Sequence, residues 1–224
     1  MGLGRSVVEK VELPGLVLRR AAVGGMDNNV YLFTSVGGAQ LLVDAAAEPD
    51  TIEALLDAAS ADAAEPHLQY LLTTHSHHDH IGALAAVASA HPEAAVLAGD
   101  ADADAITAAT GVPVTRRLRD GDVLALGDLE VAVIGLRGHT PGSVALGLAP
   151  AGAPAQLVTG DSLFPGGVGN TGRDAGRFAR LFADVVARVF ARYPDETVVW
   201  PGHGLPTTLG AERPHLAEWE ARGW

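Results

Sequence analysis

The sequence predicts an α/β (α+β) protein made of two packed β-sheets with helices on their outer faces. Short apolar runs separated by turn residues fill the first part of the chain, and a second strand-rich stretch begins after about residue 110. Segments with helical periodicity follow each of them, and a sheet with one apolar face needs another layer to cover it.

The runs "SVVEKVEL", "LVLRRAAV", "NVYLFTS" and "AQLLVDA", with "PG", "GGMDN" and "VGG" between them, read as a meander of antiparallel strands. "DTIEALLDAA" comes next as a helix, with Asp50 as its N-cap and Ile52, Leu55 and Leu56 on one face. A buried strand "LQYLLTT" and a small-residue helix "IGALAAVASA" follow. Further strands are predicted at "DVLAL", "LEVAVIGL", "SVALGLA" and "AQLVTG". A helix is predicted from about Ala175 to Tyr193, because Phe178, Leu181, Phe182, Val185, Val186, Val189 and Phe190 recur at helical spacing. Arg180, Asp184, Arg188 and Arg192 are expected to face away from that stripe. The strand "TVVWPG" and a helix around "AERPHLAEWEAR" close the chain, and the "EWEARGW" end is expected to pack on its own fold. No Pro/Ser-rich linker divides the halves, so residues 1–224 are read as one domain.

Composition narrows the function. With 48% hydrophobic and 19% charged residues, the 224-residue chain has the balance of a globular, soluble protein. No apolar run is long enough to span a membrane, and "MGLGRSVVEKVELPG" lacks the apolar core and cleavage site of a secretory signal. A cytoplasmic location is therefore expected. The net charge of −12, with Lys10 the sole lysine, repels a phosphate backbone, so neither nucleic acid nor membrane is an expected partner. Cysteine is absent, which excludes disulfides, thiol nucleophiles and thiolate metal sites.

Residues 73–82 read "TTHSHHDHIG" directly after an apolar strand. Imidazoles so crowded would repel one another when protonated, so packing gives no motive for them, whereas a cation does. His75 and His77 stand two apart in an extended segment and project to one side. Asp79 and His80 lie where the chain turns and can face a neighbouring position. Two adjacent pairs suggest two adjacent ions. Further ligand-type residues follow β-rich runs and sit among Gly or Pro: His139 in "GLRGHTPGS", Asp161 in "LVTGDSLF" and His203 in "VVWPGHG".

The run His75-x-His77-x-Asp79-His80 with His139, Asp161 and His203 downstream resembles the metallo-β-lactamase superfamily, from about "NNVYLF" to "PGHG". The resemblance implies a four-layer αββα sandwich with its site at one edge of the sheets. It implies His75, His77 and His139 on a first metal; Asp79, His80 and His203 on a second; and Asp161 bridging them. His78 points opposite to His77 and is read as a solvated residue or a pocket wall. His67, His91 and His215 have no ligand context, and Asp44 is read as either a strand-end turn or a group that orients a ligand.

Two divalent ions about 3.5–4 Å apart lower the pKa of a water between them toward neutrality and polarise a carbonyl. The expected activity is thus metal-dependent hydrolysis of a small-molecule thioester or related acyl substrate by a metal-bound hydroxide, with Asp79 as the catalytic ligand that orients the water or shuttles its proton. "GHTPGSVAL", "GDSLF" and "PGHG" look most like the glyoxalase II-like branch. Glyoxalase II proper carries a helical region that grips glutathione, whereas only residues 204–224 follow His203 here, so the thiol carrier is left open. β-Lactamases with a cysteine ligand are excluded, and ribonuclease Z-like members fit the charge poorly. The alternatives are a mononuclear iron persulfide dioxygenase, a lactonase and a non-catalytic binding protein. Zinc is the first expectation for the metal, with iron and manganese also suited to these donors. The glycine-rich "FPGGVGNTGRDAGR" is read as a loop over the substrate, with Asn170, Thr171 and Arg173 as contacts, or as a connector and helix cap. Oligomeric state is not readable.

Overall fold

A computed structural model describes residues 8–223. The first sheet runs in chain order. Strands β1 (Glu9–Leu13), β2 (Leu16–Val23), β3 (Asn28–Ser35) and β4 (Ala39–Val43) form the antiparallel meander. Parallel β5 (His67–Thr73), β6 (Ala95–Gly99) and β7 (Arg116–Leu118) extend it, joined by helices α1 (Pro49–Ala58), α2 (Leu84–Ala90) and α3 (Ala103–Thr110). The second sheet contains β8 (Val123–Leu126), β9 (Leu129–Gly135), β10 (Val144–Leu148) and β11 (Gln156–Gly160). After β11 the chain forms a small hairpin, β12 (Leu163–Phe164) and β13 (Gly167–Val168), and then helix α4 (Ala175–Val185). It returns as β14 (Val198–Pro201), parallel to β11, and β15 (Thr207–Thr208), before α5 (Leu209–Glu212) and α6 (Leu216–Arg222).

Side-chain alternation builds three apolar layers from these strands. Between the sheets, Leu18, Phe33, Leu41 and Leu72 meet Val133, Leu146, Val158 and Trp200. On the outer face of the first sheet, Leu32, Leu42 and Leu71 pack on Ile52, Leu55, Val87 and Ile106 from α1–α3. On the outer face of the second, Ala145, Leu157 and Val199 pack on Leu181, Val185, Val189 and Trp219. Strands β3, β4, β10 and β11 are buried along their whole length because they are covered on both faces. The predicted αββα sandwich is what forms.

Local details differ from the expectations. Helix α1 begins at Pro49, and the residue before it is Glu48, in a left-handed conformation with φ 52°. Glu48 accepts hydrogen bonds from the Gly24 amide and the Thr51 hydroxyl, and Asp50 sits in the first helical turn instead of capping it. The Ala-rich β6 and α3 and the short, arginine-bearing β7 carry too little hydrophobic contrast to stand out by periodicity. In α4 the apolar stripe packs as predicted, and a π-helical turn over Val186–Phe190 continues it. Asp184 and Arg188 do not face solvent. Asp184 is buried and accepts from Arg137 Nε (2.9 Å), Arg137 Nη2 (3.0 Å) and the Arg137 amide (3.1 Å), and Arg188 Nη2 lies 3.4 Å away. Trp219 at the C-terminal end is buried against Phe190, whereas Trp224 and the first residues of "SVVEKVEL" lie outside the described residues.

Burial opposes the charge on Asp184, but the hydrogen bonds from Arg137 outweigh it, with help from the Arg188 charge, and hold the carboxyl below its usual range. A depressed pKa contributes stability above the ordinary carboxylate pKa and loses it as pH falls through the folded value. Asp184→Asn is expected to cost about 1–2 kcal/mol at pH 7, low in the range for charged hydrogen bonds because half of the Arg137 side chain meets solvent. In urea titrations, the gap between variant and wild type should close on acidification.

Candidate metal centre

Every ligand-type residue singled out in the sequence sits at the carboxyl end of a strand. His75 and His77 follow β5, with Asp79 and His80 in the short 3₁₀ turn beyond them; His139 follows β9, Asp161 follows β11 and His203 follows β14. The two sheets bring these strand ends to one edge, and all seven side chains meet there. His75, His77 and His139 form one group with ligand atoms within 4.8 Å of one another, and Asp79, His80 and His203 form a second. Asp161 lies between them, its Oδ2 3.6 Å from both His139 Nε2 and His203 Nε2.

Four of the five histidines are held from behind through Nδ1. His139 Nδ1 lies 2.7 Å from the Asn170 carbonyl, and His203 Nδ1 lies 2.9 Å from the Met26 carbonyl. A carbonyl only accepts, so Nδ1 carries the proton in both rings. His80 Nδ1 lies 2.9 Å from Asp44 Oδ2, which demands the same proton. Thr74 Oγ1 donates to Asp44 Oδ2 and can therefore only accept from His75 Nδ1, 3.0 Å away. The partners thus assign one tautomer to His75, His80, His139 and His203, leaving an unprotonated Nε2 on each when the ring is neutral.

Those Nε2 atoms point at one another. His75 and His139 approach to 3.2 Å between Nε2 atoms, and His80 and His203 to 3.3 Å. With neutral rings these are facing lone pairs, which repel unless a proton or a metal cation lies among them. Asp161 Oδ1 is also buried without a hydrogen bond of its own, with His80 Nε2 3.4 Å away, and is open to a cation placed between them. The donor set therefore fits divalent metal.

Electrostatics agrees. Burial pushes the His75 imidazole well down, and burial also lowers His139 and His77. Burial opposes charge on His80 too, but Asp44 and Asp161 outweigh it and push His80 up to about 10. His203 is raised chiefly by the Asp161 carboxylate, 3.6 Å from its Nε2. Desolvation works against the Asp161 carboxylate, yet His203 and His80 hold it far below the usual range. Burial thus favours neutral rings at His75, His77 and His139, while the carboxylates draw positive charge toward His80 and His203.

Several residues that serve this site were not evident as such in the sequence. Asn28 Nδ2 donates to Asp79 Oδ2 at 2.9 Å, while Asn29 and Tyr31 bond the Pro201 carbonyl and clamp the turn before His203. Buried Asp102 accepts from the Ser76 amide, the Thr140 hydroxyl and the Gly142 amide, tying the His75–His77 segment to the turn that bears His139. Arg177 bonds the carbonyls of Gly138 and His139. Two glycines are required by close approach: a Cβ at Gly202 would strike Asp161 Oδ1 and His80, and one at Gly169 would strike the Asp161 carbonyl. Asp44 proves to be the orienting group, holding both His80 and Thr74. His78 is solvated, its side chain 89% exposed. His67 and His215 are exposed, and His91 pairs with Glu53 3.0 Å away.

The proposed substrate loop is more occupied than expected. The Asn170 carbonyl holds His139 and its side chain accepts from the Gly172 amide, so Asn170 braces the metal centre and its own loop. Thr171 is fully buried and presents no surface to a ligand. Arg173 is exposed at φ 59°. Asp174 caps α4 by accepting from the amides of Gly176 and Arg177, so the connector-and-cap reading describes this part of the segment.

A model of the Metallo-beta-lactamase superfamily matches residues 23–203, which include all seven side chains. The chain belongs to the metallo-β-lactamase superfamily. It is similar to a hydroxyacylglutathione hydrolase of Anaeromyxobacter dehalogenans, with 34% identity over 206 residues, covering 88% of this chain and 73% of that protein. A probable hydroxyacylglutathione hydrolase of Schizosaccharomyces pombe is 30% identical over 80% of this chain, which spans 65% of that relative's length. Among solved structures, TTHA1623 in a di-iron-bound form superposes with a TM-score of 0.66 at 30% identity, covering 87% of this chain and 96% of the other. No helix among the described residues is long and apolar enough to cross a membrane.

Asp44→Asn tests the orienting network. Asn tolerates the left-handed backbone at this position, φ 59°, but cannot supply the charge that holds His80. The variant should fold, and its metal affinity, measured by competition with a chromogenic chelator, should fall by about 10- to 100-fold.

Proposed function

We propose that this chain is a hydrolase with a dinuclear metal centre that cleaves thioesters or closely related acyl compounds. The observation that carries the reading is the convergence of Nε2 lone pairs and carboxylate oxygens as two neighbouring groups with Asp161 between them. In this reading His75, His77 and His139 would hold one ion and Asp79, His80 and His203 the other, with Asp161 placed to serve both. The hydroxyacylglutathione hydrolases similar to this chain and the di-iron form of TTHA1623 support the reaction class and the two-ion count. Imidazole and carboxylate donors suit zinc, iron and manganese, and zinc is the ion we propose.

Divalent cations in this cup would supply Lewis acidity, polarising a carbonyl and making water acidic enough to attack at neutral pH. The protein's part is position and proton handling. The Asn28 amide fixes Asp79 Oδ2 at 2.9 Å, which leaves Oδ1 to orient a water or take its proton. A thiolate leaving group, with a pKa near ~8.5, departs without prior protonation, so a thioester asks for no additional acid. Arg177 and Asp102 hold the His139 turn and the His75–His77 segment in register.

Elemental analysis of purified protein with a thioester, lactone and persulfide panel tests the reading. About two equivalents of metal and thioester hydrolysis without oxygen uptake are expected. Chelation should lower that rate by at least ~10³-fold, with recovery on adding metal. One iron per chain with oxygen consumption on a persulfide, or a rate indifferent to chelation, contradicts it.

A further inference from the structure

A pocket of about 410 Å³ opens directly beside His77 and His139, and Arg137, Arg177 and Arg180 line it. No acidic residue contributes to its lining. In a chain with 27 acidic against 15 basic side chains, three arginines around one acid-free cavity are a local reversal of the molecular charge.

Each guanidinium is placed differently. Arg137 is anchored on Asp184 through Nε and Nη2, which neutralises its charge and fixes its direction. Arg177 spends Nε and Nη2 on the carbonyls of Gly138 and His139, and its charge is felt by the Asp174 carboxylate at the start of α4. Arg180 stands three residues further along α4, exposed, with no ion pair or hydrogen bond to the described residues. Among the described residues the Arg180 charge thus faces the cavity without a counter-charge and with all its donors free. The opposite character marks the surroundings of His203: Met26, whose carbonyl holds that ring, is 50% exposed, and Leu205, two residues beyond it, is 70% exposed.

We propose that this arginine pocket is a subsite for an anionic group of the substrate, a carboxylate or phosphate carried by the acyl part or the thiol, with Arg180 as its principal contact and Arg177 supplying field. A guanidinium pairs such groups bidentately, and an apolar rim on the His203 side leaves the arginine side as the place for charge. The inference rests on the hydrolase reading for the identity of the substrate, but the binding of an anion does not require turnover.

The test uses Arg180→Ala and Arg180→Lys in the full-length, metal-loaded protein. Calorimetric titration with succinate and, separately, inorganic phosphate distinguishes the two anion chemistries. Whichever binds should weaken about 10-fold or more in Arg180→Ala and recover in part in Arg180→Lys. With hydrolysed thioesters, the KM of a carboxylate-bearing compound should rise by a similar factor at unchanged kcat, while its neutral methyl ester is unaffected. If neither anion loses affinity in Arg180→Ala, or if neutral and anionic thioesters suffer equally, the subsite is overturned. Intact anion binding without any thioester hydrolysis would instead contradict the hydrolase reading and leave the pocket standing.

Discussion

The hydrogen bond from Nδ1 of four of the five clustered histidines is the constraint on which the site depends. Without it an imidazole can exchange tautomers and rotate, and a cluster of five in one place would scatter or collect protons. With Nδ1–H donated to the Asn170 carbonyl, the Met26 carbonyl, Asp44 and Thr74, the ring direction is set and Nε2 faces inward. Each of these acceptors belongs to a segment remote in sequence from the ring it holds, apart from Thr74. The metal cup is therefore a property of the packed sandwich.

The fold meets that requirement through strand ends. The carboxyl ends of β5, β9, β11 and β14 converge at one edge, and the core between the sheets keeps them in register. The clamp of Asn29 and Tyr31 on Pro201, and the bond from the Val144 amide to the Thr74 carbonyl, join the two sheets beside the site. Bringing three carboxylates and several imidazoles out of water is costly, and a cation among them offsets that cost. Metal binding and the stability of this edge should accordingly be linked, since an ion that binds only the folded arrangement stabilises it.

The sequence disclosed the ligands better than their supports. His75, His77, Asp79 and His80 are legible because they are contiguous, and His139, Asp161 and His203 because each ends a β-rich run among glycines and prolines. Asp44 was half legible as a polar residue closing a strand. Asn28, Asp102 and Arg177 carried no local mark, since each acts on a partner that only the tertiary fold brings near: Asn28 on Asp79, Asp102 on Gly142, Arg177 on Gly138. Helical periodicity found the apolar face of α4 but misassigned Asp184 and Arg188, because a stripe rule records hydrophobicity and is blind to an ion cluster packed against Arg137. The burial of Thr171 is illegible for a related reason: local composition does not show that the glycine-rich segment passes beneath His139, where the Asn170 carbonyl holds the ring.

Long-range ¹H–¹⁵N correlation of the histidine rings in zinc-loaded protein addresses the central claim most directly, because it reads tautomer and ligation atom by atom. The account predicts Nδ1–H with zinc-bound Nε2 at His75, His80, His139 and His203, unchanged from about pH 6 to 8. Rings that coordinate through Nδ1, or that titrate freely near their ordinary pKa in the presence of zinc, would contradict it.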